Sequence, residues 1–161
     1  QAIIEERDTQ ISLSPGFRWG ATLLPGQDIR AEDVYSQTAI TYPACYRQEM
    51  TGQQLKEILE DVGDNLFNPD PYYQQGGDMV RVGGMGYKFE INQKIGSRIS
   101  DMTLLSTGET IEATKKYVVG GWASVNPAVQ GPPIYDIVSQ YVTRKKVVNL
   151  PPNRAIKIVG G

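Results

Sequence analysis

EMTGQQLKEILEDVGDNLF, residues 49–67, is the stretch on which the fold turns. Thr51 has the short hydroxyl side chain that caps a helix start, and Leu55, Ile58, Leu59 and Val62 then recur at helical spacing. Gly63 and the segment from Asn65 to Pro69 are expected to end this helix. Just upstream, residues 40–50 suit a strand, with Arg47 and Glu49 pointing outward. A strand running straight into a capped amphipathic helix is the first sign of a mixed fold.

On the N-terminal side, residues 1–8 read as a helix entered midway, so the chain is expected to be a fragment of a longer protein. Residues 9–13 alternate as a half-buried strand does, and Ser14-Pro15-Gly16 turns the chain. A second extended segment over residues 17–24 closes at Pro25-Gly26. Residues 31–35 suit a short helix with acids in its first turn, where the helix dipole favours them. Past the central helix come short strands at 79–82, 87–91, 99–105 and 116–120. A Gly/Pro-rich loop then runs through Trp122 and Asn126, a helix starts at Ile134, and residues 155–159 form a last strand. Strands and helices mix without strict alternation, which predicts a single α+β domain over residues 1–161, with a mixed β-sheet and flanking helices.

Composition excludes several function classes. The chain has 161 residues, no histidine, one cysteine and a net charge of −2. Without histidine there is no Ser-His-Asp triad, no Cys-His pair and no His-based metal centre within these residues. Asp61, Asp64, Asp70 and Asp78 are spaced like ordinary surface and turn acids, and no EF-hand spacing occurs. The charge is not basic enough to argue for nucleic acid, and no apolar run approaches a membrane span. Cys45 cannot form an internal disulfide and reads as a small buried hydrophobe. Gly83-Gly84-Met85-Gly86 lacks the lysine and Ser/Thr of a phosphate loop and precedes a strand, so it reads as turns or bulges where strands meet.

The polar stretch PYYQQGGDMVRVGG, residues 71–84, is either a solvated turn or one wall of a binding site. Taken alone, an arginine such as Arg18 or Arg81 is as readily a surface strand residue or the partner of an acid such as Asp78.

Four segments taken in order carry a resemblance. They are Ser14-Pro15-Gly16-Phe17-Arg18, Asp33-Val34-Tyr35, Glu49-Met50-Thr51-Gly52-Gln53-Gln54-Leu55-Lys56 and Val82-Gly83-Gly84-Met85-Gly86-Tyr87. Together they resemble the C-terminal domain of the 5′-nucleotidase family across nearly the whole chain. The resemblance implies that catalysis belongs to an N-terminal metallophosphoesterase domain, with this domain as a substrate-recognition wall. The chain departs from the nucleotidase pattern at Thr41 and Ser124, where that family places the two phenylalanines that sandwich a nucleobase. Residues 14–20, 35–43 and 65–81 instead look like the thiosulfohydrolase branch, SoxB, of the sulfur-oxidising Sox system.

That branch implies a periplasmic enzyme that releases sulfate from cysteine S-thiosulfonate on the flexible arm of the carrier SoxYZ. It implies two manganese ions in the N-terminal domain and no cofactor in this chain. It also implies a sulfonate clamp at Arg18, a channel wall from Tyr72, Tyr73, Gln74, Gln75, Gly76, Gly77, Asp78 and Arg81, and a narrowed pocket at Trp122. The alternatives are a divergent nucleotidase and a stand-alone module that binds a peptide or small anion.

Overall fold

The computed structural model of the chain describes residues 1–16, 22–39 and 42–160. Helix α1 (Ala2–Arg7) leads into β1 (Ile11–Ser14), followed by α2 (Ala31–Gln37), β2 (Tyr46–Thr51) and α3 (Gly52–Phe67). Then come β3 (Arg81–Gly83), β4 (Met85–Glu90), β5 (Ile99–Leu104), β6 (Lys116–Gly121), α4 (Ile134–Lys145) and β7 (Ile156–Val159). The class is α+β as expected, but the described strands divide between two sheets rather than one. The first has the order β2-β6-β1-β3 and the second β5-β4-β7. Each mixes directions: β1 pairs parallel with β6 and antiparallel with β3, while β4 pairs antiparallel with β5 and parallel with β7.

The sheets part at Gly84, whose φ of 75° lets the chain turn between β3 and β4. A Cβ there would overlap the Gln10 carbonyl, so the glycine serves both the turn and a close approach. The glycine cluster therefore marks a strand junction, with a register shift between Gly86 and Lys88 just after it.

Alternation explains why the first sheet is covered on both faces. Ile11 and Leu13 of β1 and Tyr117 and Val119 of β6 join the main core with Leu55 and Leu59 of α3 and residues of the second sheet. Ser12 and Gly120 turn the other way, toward Ile4 and Ile3 of α1, where small residues let the helix lie close. A smaller cluster of Ile3, Cys45, Ile134 and Ile137 closes that side. Full burial of each such aliphatic side chain contributes about 1.5–3 kcal/mol.

The Thr51 cap is present as expected: its hydroxyl accepts from Gln54 N at 3.2 Å, and Gln54 Oε1 accepts from Thr51 N at 2.8 Å. Several boundaries shift by a residue or two, and three readings need correction. Helix α3 ends at Phe67, inside the expected stretch from Asn65 to Pro69, but Gly63 does not end it, because it is a packing position against the Phe89 ring and the Arg98 side chain. The strand expected at 40–50 begins only at Tyr46; ahead of it Pro43 cannot donate to a ladder, and Ala44 makes a single bridge to Pro133. Residues 22–24 carry no strand, and 17–21 lie outside the described residues.

Candidate functional site

The neighbouring strands β2, β6 and β1 end or begin together, and their junction is built from residues too small to fill it. Gly121 closes β6 opposite Tyr46, and a Cβ at Gly121 would overlap the Tyr46 ring. Trp122 follows at once and packs, partly buried, on the smaller core cluster. Ala123 then holds φ at 65°, a left-handed geometry that costs an L-residue about 1–2 kcal/mol. Its N–H donates to the Tyr42 carbonyl at 3.1 Å. Backbone strain of this kind tends to persist where function holds it.

Two cavities open on either side of Trp122 and share Ser14 and Pro15. One, of about 380 Å³, is walled by Tyr46, Gln48, Ile58, Val80, Ser124 and Asn126 among others. The other, of about 330 Å³, takes in Gly16, Gln37, Arg81 and Gly83. Arg81 reaches it because β1 and β3 pair Ser14 with Arg81. The chain at Asp78 and Met79 comes so close to Gly16 that a Cβ on Gly16 would overlap the Asp78 side chain. Of the residues singled out from the sequence, Arg81 and Trp122 thus line one cavity, and Asp78 abuts the turn beside it.

Tyr72, Tyr73, Gln75 and Gly77 line neither cavity. They lie on an exposed loop that opens with a short 3-10 turn, Pro71–Tyr73, and the two tyrosine rings meet edge to face at 5.5 Å. Gln74 faces a third cavity, of about 650 Å³, beyond the end of α3. Arg18, along with Thr41, lies outside the described residues.

Under this loop sits a buried polar network that the sequence did not disclose. Arg98 is 1% exposed and Glu60 3%. Glu60 accepts from the N–H groups of Gly96 (2.8 Å), Arg98 (3.2 Å) and Ile99 (2.7 Å). Arg98 donates to Asp64 Oδ1 at 2.7 Å and to the carbonyls of Phe67 at 3.0 Å and Ile91 at 3.3 Å. Asp64, read from spacing as an ordinary surface acid, is instead held below the usual carboxylate range, chiefly by the Arg98 hydrogen bond and then by Asn68.

Cys45 is fully buried, and burial pushes its thiol up to about 11, so it carries no thiolate at neutral pH. Among the described residues no group of three or more cysteine, aspartate and glutamate side chains could hold a metal ion, and no helix is long and apolar enough to cross a membrane.

Sequence reasoning passed over Tyr46, Gln48 and Asn126 in the first cavity. The signal that would have found them is the Gly120-Gly121 pair ahead of Trp122, since adjacent glycines at a strand end mark close approach of other groups.

The family model for the 5′-nucleotidase C-terminal domain matches residues 1–125. The chain belongs to that family. It is similar to the sulfate thiohydrolase SoxB of Thermus thermophilus, solved in complex with glycerol, with 30% identity and a TM-score of 0.88 over 99% of this chain and 31% of that one. It shares its fold with a putative 5′-nucleotidase of Staphylococcus aureus, at 15% identity and TM-score 0.74 over 98% of this chain and 34% of that one. A 5′-nucleotidase precursor, also from Thermus thermophilus, gives 18% and 0.72, over 98% and 33% respectively. The chain thus spans about a third of the length of the structures it matches. No curated protein sequence matches it.

Proposed function

We propose that this domain forms the substrate-recognition wall of a periplasmic thiosulfohydrolase acting on cysteine S-thiosulfonate carried by a SoxYZ-type protein. The carrying observation is the 30% identity to the sulfate thiohydrolase SoxB over 99% of the chain, against 15% and 18% to the two nucleotidases. In the reaction, water adds to the terminal sulfur, the S–S bond breaks, and sulfate leaves with a persulfide on the cysteine. In this reading the two manganese ions belong to the N-terminal metallophosphoesterase domain of such an enzyme, where they would activate the attacking water.

The chemistry of the cavities supports this assignment. A sulfonate is a compact anion suited to the forked donors of arginine. Arg81 supplies such donors beside Trp122, and Arg18 follows Gly16 by two positions in the sequence. Ser124 in the first cavity and Thr41 stand at the two positions where the nucleotidases place their base-stacking phenylalanines, and the aromatics that do line that cavity, Tyr46 and Trp122, come from other positions. Base stacking contributes about 1–3 kcal/mol per aromatic, so a nucleoside loses the family's stacking pair at these two positions.

Calorimetry tests the reading: a carrier-arm peptide bearing cysteine S-thiosulfonate is titrated into this chain, with AMP in parallel. The peptide is expected to bind, about tenfold more weakly to Arg81→Ala and Arg18→Ala, and AMP is not. Binding of AMP without the peptide would overturn the assignment in favour of a nucleotidase.

A further inference from the structure

We propose that Asp64 and Asn68 are positioning residues for the carrier arm: a continuous chain of hydrogen bonds through them latches the exposed loop of residues 71–77 to the buried Arg98. The proposal rests on the thiosulfohydrolase reading above, together with the channel wall that the family resemblance implies for this loop. It adds which residues hold the loop in its receptive shape.

The chain can be followed atom by atom. Arg98 Nη1 donates to Asp64 Oδ1 at 2.7 Å, and Asp64 Oδ2 accepts from Asn68 Nδ2 at 2.8 Å. Asn68 Oδ1 accepts from Asp70 N at 2.9 Å, and Asp70 Oδ1 accepts from Tyr72 N at 3.0 Å. A second branch runs from the Asn68 carbonyl to Gln74 Nε2 at 2.7 Å. Gly76 N closes the loop onto the Asn65 carbonyl at 3.1 Å.

Apolar burial does not hold this segment, since every residue from 71 to 78 is exposed and Tyr72 is 87% so. Gly76 and Gly77 adopt φ of 75° and 96° with open space around them, leaving the backbone little steric restraint of its own. The far end of the latch is different. Arg98 is buried and Glu60 beneath it accepts three backbone N–H groups, so that anchor does not move with solvent. A loop fixed before binding gives up less conformational freedom when the ligand arrives. Asn68 is the link to cut, because its side chain joins Asp64 to Asp70 at the partly buried end of α3 without entering the core, while its carbonyl, which serves Gln74, survives the substitution.

Amide hydrogen exchange on Asn68→Ala is the test, with the peptide titration repeated on the same variant. Exchange at Asp70, which loses its acceptor, and at Tyr72, one link further on, is expected to quicken about tenfold while Ile99 and Val119 in the core keep their protection. Peptide affinity is expected to fall about fivefold, with the loss in binding entropy and Tm unchanged, a signature that general loosening of the fold does not give. Unchanged exchange at Asp70 and Tyr72 would overturn the latch even if the unaltered protein binds the peptide. Faster exchange with unchanged affinity would overturn the positioning role. An unaltered protein that binds no peptide would sink the assignment of substrate itself, and the positioning role with it, whatever the exchange shows.

Discussion

Two arginines tie helices into this domain, one from inside and one from the surface. Arg98 is 1% exposed and joins β5 to the end of α3 through Asp64 and the Phe67 carbonyl. Arg144, with its side chain 49% exposed, joins α4 to α1 through Glu5 at 2.8 Å and Glu6, with Lys145 also reaching Glu5 at 3.0 Å. Both guanidiniums meet carboxylates in good geometry, yet the surroundings give the pairs different weight. Water solvates the Arg144 cluster whether or not it forms, so the pairing changes little. Arg98 has no such alternative, and losing one partner leaves the other charge buried and unsatisfied.

Replacing Arg98 bears on this contrast most heavily. Arg98→Met leaves Asp64 and two carbonyls without their donors, for a loss of about 3–5 kcal/mol and a Tm fall of order 10 °C. A thermal melt of the variant within experimental scatter of the unaltered protein would erase the distinction between the two arginines. Glu60→Gln comes next. It keeps the shape but loses one acceptor oxygen and the charge that serves three N–H groups, for about 1–3 kcal/mol by denaturant unfolding.

At the surface end the expected effects shrink. Arg144→Ala should lower Tm by only about one or two degrees, and the difference should fade in about 1 M salt as the cluster is screened. An Arg144 effect as large as that of Arg98 would show that exposure does not separate the two sites.

The smallest effect is a dependence on pH. The Arg144 hydrogen bond, followed by those of Gln1 and Lys145, holds Glu5 at about 2 against an ordinary 4.5. Because the folded value is the lower one, the stabilisation is complete above about pH 4.5 and is lost as pH falls toward 2. In Glu5→Gln that part of the acid titration of stability should be absent.

The same contrast accounts for what could be read in advance. The Arg144 cluster gave no signal and lies at the surface. The Arg98 network gave none either, although it holds the Phe67 carbonyl at the end of α3. Gly63 looked like a helix terminator, because a glycine in sequence carries no mark of the ring that will pack on it; only the Phe89 side chain shows why it lies inside the helix. Pro43 is a different case: its lack of an N–H was visible in the sequence, yet the strand was read straight through it, and β2 begins only at Tyr46. At the candidate site, Arg81 and Trp122 were legible as residue types in a loop-rich context. Their shared cavity depends on the pairing of Ser14 with Arg81, a register fixed by long-range contact.

Local elements were legible from residue order: the Thr51 cap, the stripe through Leu55 and Leu59, the strand alternation at Ile11 and Leu13, and the glycine junction before β4. These depend on neighbours a few positions apart, where spacing and backbone preference act directly. Residue order also carried the motifs that mark the 5′-nucleotidase C-terminal family. Three features came only with the folded chain. The strands split into two sheets, Trp122 stands between two cavities, and a buried arginine anchors the polar loop. Each depends on groups far apart in the chain meeting where water is excluded, and a spacing rule carries no information about which distant partner will satisfy a buried charge.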